Sequence, residues 1–505
     1  MGPMSVDAPI ATRDAEAPAH AHGNAAHAVR NAIVLGGSLV ATWSVALVVR
    51  LFLPRSLGPA LFGEFNFADV LAANAFGFIG FGLDTYIQKE IPARPSHTSE
   101  FLGGLFLVRV LASAILFGAL GWLLVATGRS PALLRTVFIF GLAQMASICA
   151  GTLATLLYVS QTVGRLALLN VTSKLLWGGG VGVALVMHAS IEWFAVAFLL
   201  SETLRLLVLL RLVRSSLTLR IDLPNTWLVL RASAPFYATA VAAALYARID
   251  VNIMGMLLPD KEVGFYGAAA NVSGIAMLMA PLMSWVLMPQ LAHAAVRSRE
   301  ELNAMFRRAI EGVLALAVPV SLMLALGADL IVTRLFGEKF LPAIGSLRVL
   351  SPMFVAVYLA MLAATHLNLT NRSWRVTSVT VGSLALNALL NLFLIHPAYR
   401  LLGEGGAGVV AAAISVACEV LVAATLLAMI GRTAWDRRSI LCAVKSLGAC
   451  GVVSVAHIAM SRLGPARLVV DLALYVAIIV STGAVDVVEL YNLVRSAARG
   501  RHVPA

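Results

Sequence analysis

Apolar runs long enough to cross a bilayer recur from Asn31 to Tyr491, each broken by a short basic or Pro/Gly segment. A helical crossing takes roughly 20 residues. About 14 runs meet that length: 31–53, 65–87, 101–126, 136–158, 166–187, 191–212, 229–257, 265–291, 310–333, 345–369, 377–396, 406–430, 439–461 and 467–493. No connector between them exceeds roughly 20 residues, too short for a soluble catalytic domain of the usual ~100–150 residues. The chain reads as an all-α polytopic membrane protein, and most enzyme classes are excluded.

Composition agrees. Hydrophobic residues make up 60% of the 505 and charged residues only 12%, too few to cover a soluble protein of this size. The formal charge of +12 would suggest nucleic acid in a soluble chain. Here the basic residues cluster at helix ends, the pattern that orients membrane proteins and meets anionic headgroups, so nucleic acid is not an expected partner.

Residues 1–29 are rich in Ala, His and Asp and lack an apolar core. They read as a disordered cytoplasmic tail rather than a signal peptide. His20, His22 and His27 in that tail are better explained as solvated than as metal ligands. Cys149, Cys418, Cys442 and Cys450 lie within or beside apolar runs with no CxxC pair, so they read as small buried hydrophobes. No cofactor or metal is expected.

Lys and Arg set the orientation. The even-numbered connectors hold about 17 cations against about nine in the odd-numbered ones, which places the even connectors and both termini in the cytoplasm.

The first twelve spans contain an internal repeat. Leu57-Gly58-Pro59-Ala60-Leu61-Phe62-Gly63-Glu64-Phe65-Asn66-Phe67-Ala68 follows span one. Leu258-Pro259-Asp260-Lys261-Glu262-Val263-Gly264-Phe265-Tyr266-Gly267-Ala268-Ala269 follows span seven. Six spans is an even number, so the copies share one orientation and relate by a pseudo-two-fold along the membrane normal. The expected order is a tail (1–29), a first lobe (30–213), a cytoplasmic linker (214–228) and a second lobe (229–430). Two added spans (431–493) and a cytoplasmic tail (494–505) complete it.

Arg248-Ile249-Asp250, Met254-Gly255-Met256-Leu257 and Glu262-Val263-Gly264-Phe265-Tyr266 continue through Pro281 to Pro289-Gln290. Leu335-Phe336-Gly337-Glu338-Lys339-Phe340, Asn387 to Ile395 and Gly403 to Ala413 follow. Arg55-Ser56-Leu57-Gly58, Phe62-Gly63 and Gly82-Leu83-Asp84 precede them in the first half. In order and spacing over about 400 residues, these segments resemble the Wzx-type polysaccharide and oligosaccharide flippases. Those belong to the multidrug/oligosaccharidyl-lipid/polysaccharide exporter superfamily. The resemblance implies a two-lobed, alternating-access transporter of undecaprenyl-diphosphate-linked oligosaccharides in a bacterial inner membrane, with no ATPase domain. It further implies a polysaccharide polymerase and a chain-length regulator as partners. Spans beyond twelve suit that branch better than the drug/cation antiporters.

A charge at the bilayer centre costs roughly 2.5–3.5 kcal/mol on insertion scales, so it faces a cleft or a partner. The embedded cations are Arg109, Lys174, Arg205 and Arg248, with Arg50 and Arg348 nearer span ends; the anions are Asp69, Glu202, Asp250 and Glu419. Glu202 and Arg205, three apart, read as a structural pair. Arg248 and Asp250, two apart on a helix, point roughly 200° away from each other, so one of them must look to the cleft or another helix. Arg248 is the first candidate to meet a diphosphate, followed by Lys174, Arg50 and Arg109. Lys174 shares a face with Asn170 and Trp177, which suits phosphate and sugar as well as plain packing; Arg50 also reads as snorkelling to headgroups. Asp250, Asp69 and Glu419 are the ion-coupling candidates. Three rival functions stay open: a drug/cation antiporter of the same superfamily, a membrane-embedded saccharide polymerase or ligase, and a lipid II flippase, which differs mainly in cargo.

Overall fold

The computed structural model describes residues 19–91, 98–159, 163–214, 221–276 and 280–483. Residues 1–18 of the expected tail, positions 215–220 of the linker and everything after 483 lie outside them. Among the described residues there is no strand. The first lobe holds α1 (Ala19–Gly77), α2 (Leu83–Glu90), α3 (Thr98–Ala126), α4 (Pro131–Val159), α5 (Val163–Val186) and α6 (Ile191–Val213). The second begins with α7 (Leu223–Tyr246), α8 (Ile249–Leu257), α9 (Asp260–Ala276), α10 (Ala280–Arg297) and α11 (Arg299–Leu326). It continues with α12 (Ala328–Leu335), α13 (Ala343–Leu350), α14 (Met353–Leu369), α15 (Ser373–Leu402) and α16 (Gly406–Ile430). Outside the repeat come α17 (Arg437–Ala459) and α18 (Arg467–Ser481).

Eleven helices among the described residues are long and apolar enough to cross a membrane, or twelve if the bent pair α7–α8 counts as one. The lower count has a geometric origin. One of the eleven, Gly36–Gly80, is 45 residues long, about 67 Å as a straight helix and twice what a bilayer needs. It is divided at Gly58, whose φ of 75° and ψ of 170° are open only to glycine. Spans one and two of the sequence reading therefore lie on either side of Gly58, and span eight is shared between α9 and α10. Helix α1 also starts at Ala19, so the later part of the expected tail is helical.

The repeat is visible as packing. A side chain at Gly63 would overlap the Asp260 carbonyl, and one at Gly264 would overlap the Pro59 carbonyl. Residue 63 is to 264 as 59 is to 260, so the contact is reciprocal, the signature of two-fold symmetry. At Gly267 the neighbour is its own counterpart, Asn66. Phe340 of the Leu335–Phe340 motif caps the joint, with ring centroids 6.5 Å from Phe62 and 6.2 Å from Phe265. The Gly403–Ala413 motif adds Gly405, whose N–H donates to both Glu262 carboxylate oxygens at 2.9 and 3.1 Å.

The added helices dock through polar contacts. His457 Nδ1 lies 2.5 Å from Asp471 Oδ2 between α17 and α18. Arg467 pairs with Asp329 of α12 at 3.1 Å, and Arg438 pairs with Glu311 of α11 at 3.3 Å.

Candidate functional site

The seventh span is expected from sequence as one helix, but the chain leaves helical geometry at Arg248 (φ −151°, ψ 19°) and bends by 51° between α7 and α8. No proline causes it. The break places Arg248 between Tyr246 and Asp250, both of which reach α16.

Asp250 turns into the second lobe. Its Oδ1 accepts from the Val251 N–H at 2.7 Å, and its Oδ2 accepts from the Tyr266 hydroxyl of α9 and from Ser415 Oγ of α16 at 3.3 Å. Asp250 and Tyr266 are both buried. Tyr246 meets Glu419, one turn beyond Ser415 on α16, and its hydroxyl accepts from Ser383 of α15 at 3.2 Å. Two buried carboxylates thus meet along one face of α16, Asp250 of α8 at Ser415 and Glu419 one turn on, each with a tyrosine beside it. Asn387 and Ser383 also reach the Cys418 thiol, while Asn391 donates back to Asn387 within α15 at 2.9 Å.

Arg248 stays within electrostatic reach of Asp250 and also of α1. Arg50 of α1 lies within electrostatic reach of both Arg248 and Asp69, so the structure brings three of the sequence candidates together from α1 and the α7–α8 break. Arg50 is exposed to solvent yet surrounded by protein, and Arg248 is half-buried. Among the described residues neither makes an ion pair. With Asp250 counted, two guanidinium groups and two carboxylates share this region, and the pull on an incoming anion rests on guanidiniums that are not tied into ion pairs.

The other two candidate cations are engaged elsewhere. Lys174 Nζ lies 3.3 Å from Glu202 Oε1 and Arg205 lies 3.1 Å from Oε2. Glu202 is 1% exposed, and Lys174 Nζ sits 5.5 and 5.3 Å from the Trp177 and Phe198 ring centres. The expected Glu202–Arg205 pair is present with Lys174 added to it. Arg109 is buried, donating to Ile79 O (3.0 Å), Gly80 O (3.2 Å) and Thr152 Oγ1 (2.9 Å). It fastens the turn between α1 and α2, whose carbonyls would otherwise be buried unmet.

Sequence reasoning missed the tyrosines and the cross-lobe ion pair. Ser415 and Glu419, four apart in an apolar span, were the readable sign of a polar face on α16. Arg129, between α3 and α4, pairs with Asp260 at 3.0 Å, donates to the Gly255 carbonyl and covers the Phe67 ring at 5.4 Å. It ties the first lobe to the second at the glycine joint; nothing in its connector distinguishes it. Among the described residues no three His, Cys, Asp or Glu side chains converge as metal ligands.

Comparison with known proteins adds the following. The model of a family described as polysaccharide biosynthesis protein matches residues 52–345. Over 347 residues the chain is 24% identical to the probable low-salt glycan biosynthesis flippase Agl15 of Haloferax volcanii, covering 68% of this chain and 72% of that protein. It is similar in structure to lipid II flippase MurJ in an inward closed conformation, with a TM-score of 0.72 at 12% identity, over 88% of this chain and 98% of that one. It is also similar to an inward-facing multidrug resistance MATE family transporter of the MOP superfamily. There the TM-score is 0.60 at 14% identity, over 78% and 94% of the two chains. At such identities the solved structures share its fold.

Proposed function

The chain belongs to the polysaccharide biosynthesis protein family, and from that membership we propose that it flips undecaprenyl-diphosphate-linked oligosaccharide units by alternating access. The direction is from the inner to the outer leaflet of a bacterial cytoplasmic membrane, with both termini in the cytoplasm. The observation that carries the reading is the approach of Arg50 and Arg248 across the lobes, neither tied into an ion pair among the described residues, beside Asp69 and Asp250. A diphosphate brings about two negative charges, and a guanidinium can meet phosphate oxygens with two parallel N–H groups.

The lobes meet at the Gly63–Gly264 joint and the Arg129–Asp260 pair, in connectors that the distribution of Lys and Arg assigns to the outside. A headgroup then enters from the cytoplasmic side while its prenyl tail stays in lipid. Rocking of one bundle against the other closes that side and opens the joint. The membrane potential favours this direction: two negative charges moving outward gain about 4–5 kcal/mol per 100 mV. Asp69, Asp250 and Glu419 are the candidate carriers of a coupled cation. A polysaccharide polymerase and a chain-length regulator are the partners such a flippase would serve.

Deleting the gene tests the reading. Lipid-linked saccharide should accumulate, hidden from impermeant probes at the outer surface, and polymer should disappear. Unchanged polymer, with no redundant transporter present, would refute it. The buried carboxylates Asp250 and Glu419 favour one second reading, a drug/cation antiporter. It predicts dye efflux that survives Arg248→Ala and is lost in Asp250→Asn.

A further inference from the structure

A groove of about 770 Å³ lies between α11, α14, α16 and α17, outside the cleft of Arg50 and Arg248. Leu322, Val355, Leu359, Leu427 and Leu447 give it apolar walls. Spans ten and twelve are both even-numbered, so α14 and α16 run in parallel. Arg348, in the last turn of α13, therefore stands at the end where α14 begins, and Trp435 stands at the end where α16 finishes.

Nearly every polar group in the lining is satisfied within the protein. Ser321 Oγ donates to the Ser351 carbonyl at 2.8 Å, and Ser351 Oγ donates to the Arg348 carbonyl at 2.7 Å. The Arg348 guanidinium is the exception. It is exposed, and among the described residues it has no ion pair or hydrogen bond. An unpaired guanidinium opening on an apolar groove within a span is costly, and such charges mark a partner that the protein itself does not supply.

We propose that this groove holds an anionic phospholipid, with its phosphodiester on Arg348 and its acyl chains along the apolar walls. Charge matching selects this occupant over the transported lipid. One guanidinium neutralises one phosphodiester, whereas a diphosphate suits the paired arginines of the cleft. The lipid would wedge the second lobe against α17, and it would do so whatever cargo the cleft carries.

The full-length protein in phosphatidylcholine nanodiscs tests this. A minor fraction of the lipid is replaced by phosphatidylglycerol or phosphatidylcholine brominated on its acyl chains. The Trp435 signal is taken as the difference from a Trp435→Phe protein. Brominated phosphatidylglycerol should quench Trp435 at about tenfold lower mole fraction than brominated phosphatidylcholine, the scale of a charge-assisted hydrogen bond. Arg348→Gln should erase that preference and Arg348→Lys should keep most of it. Ala424→Phe, which fills the groove and leaves the charge in place, should weaken quenching by both lipids. Equal quenching by the two lipids in the parent protein, or a preference that survives Arg348→Gln, would overturn the proposal. So would relief of quenching by unbrominated undecaprenyl phosphate at mole fractions where unbrominated phosphatidylglycerol has no effect, because the groove would then belong to the cargo lipid.

Discussion

Gly63 and Gly264 face each other across the two lobes, each against the backbone that precedes the other: Gly63 on the Asp260 carbonyl, Gly264 on that of Pro59. Pairs of this kind arise where two copies of one segment meet about a two-fold axis. Backbone-to-backbone approach leaves no space for a Cβ, and it also leaves few side chains to disentangle when the surfaces part. Glycine thus gives a joint that is close when shut and separable when the lobes rock.

Gly63→Ala and Gly264→Ala should each destabilise the closed joint by about 1–3 kcal/mol, the range for forcing atoms into a packed site. Neither should disturb the folding of its own helix, since alanine is the better helix former. In a cysteine-free background carrying Leu57→Cys, an impermeant maleimide should label the glycine variants several-fold faster than the parent. Equal labelling rates would mean that the joint does not open.

Arg129 and Asp260 hold the same joint by charge. They are 17% and 31% exposed, so the pair is screened by water and should couple by about 1 kcal/mol at most. A double-mutant cycle of Arg129→Ala and Asp260→Asn on thermal stability should return that coupling, and added salt should weaken it. Arg129→Ala should lose more than Asp260→Asn alone, because Arg129 also covers Phe67 and caps the Gly255 carbonyl.

How far the sequence reveals this molecule depends on the length scale of the signal. Span positions follow from hydrophobicity summed over some twenty residues; spans three to six and nine to thirteen overlap helices long enough to cross, while span seven is bent and span eight is divided. The repeat is legible too, because Gly63 and Gly264 carry a steric requirement that fixes their neighbours. The bend at Arg248 is not, since it depends on partners far away in the chain: Tyr266, Ser415 and Glu419 draw Asp250 and Tyr246 to α9 and α16. The fate of each embedded cation was equally hidden. Lys174 and Arg248 look alike in a hydropathy plot, and only the fold decides that Glu202 reaches the first. Much of the motif set behind the family resemblance, Leu57–Ala68, Leu258–Ala269, Leu335–Phe340 and Gly403–Ala413, assembles the lobe joint. The family's sequence signal therefore reports the interface between the lobes.

Acid should loosen α17 at its first turn. Asp436 caps this helix, its Oδ1 accepting from the Ser439 N–H at 2.7 Å, with Arg307 3.3 Å from Oδ2. The backbone hydrogen bond from Ser439 first, then the Ser439 hydroxyl and the Arg307 charge, hold its carboxyl below the usual aspartate value. A carboxyl lowered by folding stabilises the fold above its unfolded pKa of about 3.9 and loses that contribution as pH falls through the folded value. Hydrogen exchange at amides 438–441 should therefore quicken below about pH 4, after correction for intrinsic rates. Asp436→Ala should already show the faster exchange at pH 7, at a cost of about 1 kcal/mol. Exchange insensitive to both changes would remove Asp436 from the cap.

The approach of Arg50 and Arg248 gives the sharpest test of the transport proposal. Arg50 and Arg248 approach each other, with Asp69 near the first and Asp250 near the second; each raises the cost of the other, and an incoming anion relieves both. Arg248→Ala and Arg50→Ala should each lower flipping by at least about tenfold, the loss expected when one charge-assisted contact is removed. The unloaded protein should be no less stable for it, because a repulsion is removed too. Arg248→Lys should recover only part of the activity, since an ammonium supplies a point charge in place of a fork. Asp69→Asn should strengthen binding of the anion while slowing its release, so cargo should bind more tightly as turnover falls. Flipping measured in proteoliposomes, with melting temperature recorded on the same preparations, separates these outcomes. Variants that lose stability in step with activity would make the arginines structural. Full activity in Arg50→Ala/Arg248→Ala would place the anion's path elsewhere in the molecule.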